Sequence, residues 1–185
     1  FIHDGAFVHV SDGIHVEEPI RLLFLSTSQE QEIVSHPRVL VVVSKNSKAT
    51  IIDSYACISE GRYFSNAVTE IVVGVGARVE YYKVQQQSDR AFHITTTDVA
   101  LGRDCYFSSI NIDLGGRLVR NNLNVLTEAE GSTSMLNGLY LVNGVQHVDN
   151  QVIIDHAKPY TTSRELYKGI LDGKSRSVFH GSIIV

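Results

Sequence analysis

Eight histidines, two cysteines and a scatter of carboxylates are the side chains of this 185-residue chain that could do chemistry, and their spacing decides which kind. His3, His9 and His15 recur every six residues. An even offset would place three imidazoles on one strand face and suggest a metal site, provided the strand kept its register. Asp4-Gly5 and Asp12-Gly13 are turn signals inside that stretch, so exposed polar positions explain these histidines better than ligation. His147, His156 and His180 come later and read as a polar stack, one per structural repeat. Cys57 and Cys105 lie far apart along the chain in apolar settings, Ala56-Cys57-Ile58 and Asp104-Cys105-Tyr106. Zinc and iron–sulfur centres need several thiolates or imidazoles together, and two distant thiols read as small buried hydrophobes. Asp149 and Asp155, with Lys158 and Arg164, could serve a carbohydrate-cleaving solenoid, because the even spacing of the two acids sets them on one strand face. Tryptophan is absent, however, and with it the usual sugar platform. Neither a phosphate-cradling GxxxxGK[ST] nor a Gly-x-Ser-x-Gly elbow occurs. The reading therefore assigns no catalytic, cofactor-binding or metal-binding residue.

The elements that would position such groups are strands. Hydrophobic residues make up 43% and charged residues 19%, the balance of one globular domain rather than a disordered chain. With net charge −4 the chain carries no basic footprint for nucleic acid. The longest apolar run, Val39–Val43, is too short to span a membrane. Two thiols without a CxxC point to a reducing compartment. Acids concentrate at the start: Asp4, Asp12, Glu17, Glu18, Glu30 and Glu32 face only Arg21 over residues 1–36, which reads as a solvated face. The tail ends on Ile183-Ile184-Val185 with no turn after it, which reads as a piece of a longer protein cut within a strand.

Short β-rich runs closed by Gly, Asn or Asp recur from Val39–Ser44 to Ser177–Val185, and helical periodicity is nearly absent. Only Ser26–His36, with a Ser/Thr start, acids in its first turns and Pro37 after it, suggests a helix. Gly102, Gly116, Gly131 and Gly144 keep a nearly even beat. Asn-Gly at Asn137-Gly138 and Asn143-Gly144 brackets a five-residue piece, and asparagines gather in the second half (Asn111, Asn121, Asn122, Asn124, Asn137, Asn143 and Asn150). Stacked asparagines bond along parallel strands, so the expected fold is all-β: a right-handed parallel β-helix with a repeat of roughly 20–27 residues. Residues 1–37 are expected to form a β-rich lead-in with the short helix, and 38–185 the β-helix core, continuing beyond the fragment. Gln85-Gln86-Gln87 reads as an exposed coil edge.

Several segments resemble the SufD family: YFSNAVTEIVV (63–73), AFHITTTDV (91–99), LGGRLVRNNLNV (114–125), LNGLY (136–140), QHVDNQVIIDH (146–156) and SRELYKGILDGKSRSVFHGSIIV (163–185). The sibling SufB shares parts of the YKGI and VFxG pattern, but LNGLY and QHVDNQ favour SufD. The resemblance implies a β-helix flanked by helical segments in a non-enzymatic scaffold of the SUF iron–sulfur machinery. That scaffold pairs with SufB and the ATPase SufC in the bacterial cytoplasm or plastid stroma, and the cluster is assembled transiently by the whole complex. The family's candidate cluster histidine, in a Cys-x-His-Gly-Ala-Thr segment, falls beyond Val185, and His180 is not that residue because Gly181-Ser182-Ile183 follows it. No ligand or SufC contact transfers to this chain, and none of its residues is expected to bind a cofactor. A homodimer through open coil ends is a further expectation. The alternatives are a solenoid carbohydrate-active enzyme and a purely structural β-solenoid adaptor.

Overall fold

The computed structural model describes residues 4–27 and 32–185. Two parallel sheets wind into a right-handed β-solenoid of about six turns, as the turn-closed apolar runs predict. Sheet A holds β1 (Gly5–Val10), β3 (Ile33–Ser35), β4 (Arg38–Val43), β6 (Tyr63–Val73), β8 (Phe92–Leu101), β10 (Leu118–Thr127), β12 (His147–Asp155) and β14 (Arg176–Ile184). Sheet B holds β2 (Ile20–Ser26), β5 (Lys48–Cys57), β7 (Arg78–Gln86), β9 (Tyr106–Asp113), β11 (Thr133–Val142) and β13 (Thr162–Leu171). From β4 onward the chain alternates between the sheets, so each strand pairs with the strand one coil away.

Coil length varies, from the upper end of the expected repeat to beyond it. The step from Phe92 to its partner Leu118 is among the shorter ones, and the step from Gly5 to its partner Arg38 is longer. The glycine beat measures half a coil, one strand and one corner. At the corner from sheet A to sheet B, one residue per coil takes a left-handed backbone: Gly13, Asn46, Gly76, Asp104 and Gly131, with φ of 71, 54, 65, 53 and 77°, and, in the longer corner before β13, Tyr160 with φ 59°. Glycine adopts this shape without strain, and Asn and Asp tolerate it better than other residues. Stacked corners hydrogen-bond from coil to coil, as in Gly13 N to Lys45 O and Asn46 N to Val75 O, both 2.8 Å. Asp12-Gly13 is thus a coil corner and not a hairpin.

Two further expectations change. The flanks of the proposed helix are strands: Ser26 closes β2 and Ile33–Ser35 is β3, while residues 28–31 lie outside the described residues. Asn137-Gly138 is not a turn but the middle of β11. Gly138 is opposite Tyr167, and a Cβ on it would overlap that ring; Gly169 is opposite Tyr140, and a Cβ there would overlap the other ring. The Gly-x-Tyr of one strand and the Tyr-x-Gly of the next therefore interlock, which explains glycine inside two paired strands.

Inward positions alternate with outward ones along the strands of the central coils, β6 to β12. Near the tight corner the interior is apolar, with Val41, Val43, Ile51, Ile71, Val73, Val79, Leu101 and Phe107 in one cluster. Toward the opposite corner the same strands turn polar.

Candidate functional site

The polar half of the interior gathers several titratable side chains away from solvent. The second halves of β5, β7 and β9 and the first halves of β8, β10 and β12 point Asp53, Lys83, Asn111, Asp113, His93, Thr95, Asn121 and Asn150 inward, all of them buried. Lys83 Nζ donates to Asn121 Oδ1 at 2.6 Å and lies 3.4 Å from Asp113 Oδ1. Asn121 Nδ2 donates to Asp113 Oδ2 and to Asn150 Oδ1, both at 2.8 Å. Asn111 Nδ2 donates to Asp113 Oδ2 at 2.7 Å, and Thr95 Oγ1 donates to Asn121 Oδ1 at 2.9 Å. A second knot lies on the earlier coils, where Tyr81 Oη donates to Asp53 Oδ2 at 2.8 Å and Thr69 Oγ1 does so at 3.3 Å.

The electrostatics follow from burial. Taking the Asp53 carboxylate out of water raises its pKa from 3.8 to about 6, although hydrogen bonds from Tyr81 and Thr69 and the charge of Lys83 pull it back. Burial lowers the Lys83 pKa, opposed by Asp113. Burial, with the nearby Lys83 charge, pushes His93 well below its ordinary range. His93 packs against the edge of the Tyr55 ring at 4.7 Å, and neither of its ring nitrogens finds a hydrogen-bond partner among the described residues. A cavity of about 20 Å³ adjoins Lys83, Thr95, Asn111 and Asn121. That volume suits one water molecule and no organic substrate. Enclosed in this way, the network couples neighbouring coils: a slip of one residue would carry Asn121 away from Asn150 and turn the charged groups outward.

The residues singled out from the sequence lie elsewhere. His9 Nε2 meets Ser44 Oγ at 3.1 Å on the outer face, and His15 sits past the Asp12-Gly13 corner, bridged to Lys48, so the even spacing does not bring the two together. His3 lies outside the described residues. His147 pairs with Arg176, His180 with Gln151, and His156 contacts the hydroxyls of Thr161 and Ser163, so the later histidines do not stack. Among the described residues no three or more His, Cys, Asp or Glu side chains converge on a point that could hold a metal ion. Cys105 is buried, and burial pushes its thiol up to about 11; Cys57 is half-buried at the end of β5.

Asp149 and Asp155 do share the outer face of β12, and Asp155 lines an outer hollow of about 440 Å³. Six residues of strand separate them by about 20 Å, whereas paired carboxylates that cleave glycosides stand ~5–10 Å apart. Asp149 is moreover ion-paired with Arg120 at 2.6 Å. Lys158 lies in the His156–Thr161 corner, and Arg164 is exposed on β13. Gln85 and Gln87 are buried rather than an exposed edge: Gln85 Oε1 accepts from Gly115 N at 3.1 Å, and Gln87 Nε2 donates to Ser65 Oγ at 3.2 Å.

Sequence reasoning missed Asp53, Lys83, His93 and Asp113 as interior groups. Of the seven asparagines expected to stack, Asn121 and Asn150 are in-register partners and bond to each other, and Asn111 reaches Asn150 from the facing sheet. The phase of β7 was not legible, because outward Tyr82 and Val84 are as apolar as inward Val79 and Tyr81.

Residues 24–185 match the family model described as "SUF system FeS cluster assembly, SufBD core domain". The chain is 33% identical over 190 residues to an iron–sulfur cluster assembly SufBD family protein of Synechocystis, an alignment covering 98% of this chain and 42% of that protein. It is 26% identical to the iron–sulfur cluster assembly protein SufD of Escherichia coli, over 96% of this chain and 43% of that protein. It is 29% identical to the chloroplastic protein ABCI7 of Arabidopsis thaliana, over 98% of this chain and 40% of that protein. The chain thus spans about two fifths of the length of each of these relatives.

Proposed function

This chain belongs to the SufBD core-domain family of the SUF iron–sulfur cluster assembly system, and from that premise we propose that it is the β-helix core of a non-enzymatic scaffold subunit. In this reading the whole protein acts with a SufB-like subunit and the SufC ATPase, and the assembled complex builds the cluster transiently. No residue of this chain is given a cluster, iron or cofactor ligand. The single observation that carries the proposal is the in-register solenoid matched by the family model over residues 24–185. An interior whose ionised groups are bound to one another supports a scaffold rather than an enzyme, as does the wide separation of Asp149 from Asp155.

β13 and β14 each pair with a sheet neighbour on one side only, which supports pairing of this fragment with a second copy through those edges. Relatives from bacteria and from a plant, the latter named as chloroplastic, support a bacterial cytoplasm or a plastid stroma as the compartment.

The deciding experiment is affinity purification of the full-length protein from its own cells. Recovery of a SufB-like subunit and an ABC-type ATPase, together with reduced iron loading of cluster proteins when the gene is deleted, is the expected result. A full-length protein that purifies alone, or whose loss leaves cluster loading unchanged, overturns the proposal.

A further inference from the structure

Leu114-Gly115-Gly116-Arg117 makes the corner from β9 to β10. Gly116 has φ 83°, and a Cβ on it would come within 2.7 Å of Val119, so the corner closes this tightly only with glycine there. The compressed turn draws Arg117 against the preceding coil, its N–H donating to Ala91 O at 2.7 Å, and leaves the guanidinium exposed. It stands over a hollow of about 460 Å³ on the outside of sheet A. The floor is one column of in-register partners, Phe92, Leu118, His147 and Arg176, spanning about 14 Å at the ~4.8 Å spacing of neighbouring strands. Lys174 completes the rim from the next corner, where its N–H is tied to Gly144 O at 2.7 Å.

The lining of this hollow holds three cations and no carboxylate. Ion pairs among the described residues engage Arg38, Arg62, Arg78, Lys83, Arg103 and Arg120, but not Arg117, Lys174 or Arg176. Asp89, on a neighbouring corner, is held as the acceptor of Gln146 Nε2 at 2.9 Å. In a chain of net charge −4, three unpaired cations around one concavity make a local positive field that the whole molecule lacks.

We propose that this hollow is a binding site for a small phosphate-bearing anion. Two guanidinium forks and an ammonium match several negative oxygens on adjacent phosphorus atoms better than they match the single, spaced charges of a carboxylate peptide. His147 adds a ring N–H donor, and Leu118 and Phe92 leave an apolar shelf for the uncharged part of the ligand. The site is argued from these side chains alone and does not depend on the scaffold reading.

The test is calorimetric titration of this chain with inorganic diphosphate at low salt, because the field is screened as ionic strength rises. Saturable one-site binding is expected, weakened about tenfold or more by Arg117→Gln and by Arg176→Gln. Arg21→Gln, on sheet B, should leave it unchanged. Because Arg117 and Arg176 are exposed, both variants keep their melting temperature, so a loss of binding reports the site and not the fold. The proposal is overturned by the absence of saturable binding, by affinity that survives both substitutions, or by a hexaglutamate peptide binding more tightly than diphosphate.

Discussion

The two halves of the solenoid interior are carried by the same strands yet built from different chemistry. β7 enters the interior with Val79 and Tyr81 and leaves it with Lys83 and Gln85; β8 enters with His93, Thr95 and Thr97 and leaves with Val99 and Leu101. The apolar half lies against the stacked tight corners, and the polar half lies toward the corners with Gly116 and Gly144. Apolar burial drives collapse without direction, so rows of valine and isoleucine alone would tolerate slipped pairings. Hydrogen-bonded groups such as Asn121, Asn150 and Asp113 are satisfied in one register only. One half supplies the driving force and the other the uniqueness of the wind.

Hollowing out the apolar half tests its role most severely. Phe107 is fully buried at the start of β9. Phe107→Ala should cost about 3–5 kcal/mol through lost transfer energy and the cavity left behind. Phe107→Leu, closer in volume, should cost less than about 1.5 kcal/mol. Urea unfolding followed by circular dichroism measures both. Equal, small effects would show that the tight-corner half is not the source of stability.

The polar half responds to different changes. Lys83→Met leaves the buried Asp113 carboxylate without its cation, and removing one member of a buried pair costs about 3–5 kcal/mol. Adding Asp113→Asn removes the orphaned charge while keeping an acceptor for Asn121. The double variant is therefore expected to be more stable than Lys83→Met alone, with a coupling energy of about 1–3 kcal/mol in a double-mutant cycle. Additive costs would mean that the two residues do not act as a pair.

How much of this was readable beforehand differs between the halves. Strand existence, corners and the all-β solenoid were legible, because Gly, Asn and Asp punctuate β-rich runs and the left-handed corner needs such residues. β11 was broken up because glycine inside a strand reads as a turn, whereas Gly138 is there to admit Tyr167. The buried charges were lost for a different reason. Outward positions of sheet B such as Ile52, Tyr82, Val84, Ile110 and Ile112 are apolar, so alternation does not say which phase faces inward. Lys83 then reads as a surface lysine, and only its neighbours across the coil, Asp113 and Asn121, show otherwise.

Asp53 extends the contrast between the two halves to pH. Folding raises its carboxyl from 3.8 to about 6, so the folded state holds the proton more tightly than the unfolded chain does. Its contribution is fully present below pH 3.8 and is lost as pH rises through about 6, a change of about 3 kcal/mol. Asp53→Asn escapes that loss and keeps an acceptor for the Tyr81 hydroxyl. Thermal melts of variant and wild type should nearly coincide close to pH 4 and separate above pH 6, with the variant the more stable. His93 shifts the other way, favouring the folded state as pH rises, but it is common to both proteins and cancels in the difference. A constant gap across the range would mean that Asp53 does not titrate in this window.

The smallest effect comes from the same kind of ion pair placed outside. Arg120 Nη1 lies 2.6 Å from Asp149 Oδ2, closer than Lys83 is to Asp113, yet its side chain is 43% exposed. Water screens the attraction and would solvate either partner if the other were removed, so Arg120→Ala should cost no more than about 1 kcal/mol. A double-mutant cycle on Arg120 and Asp149, run beside the one on Lys83 and Asp113, compares one chemistry at two depths of the same solenoid. Distance alone favours the outer pair, and burial favours the inner one. A larger coupling inside than outside is expected, and the reverse would remove the distinction between the polar interior and an ordinary charged surface.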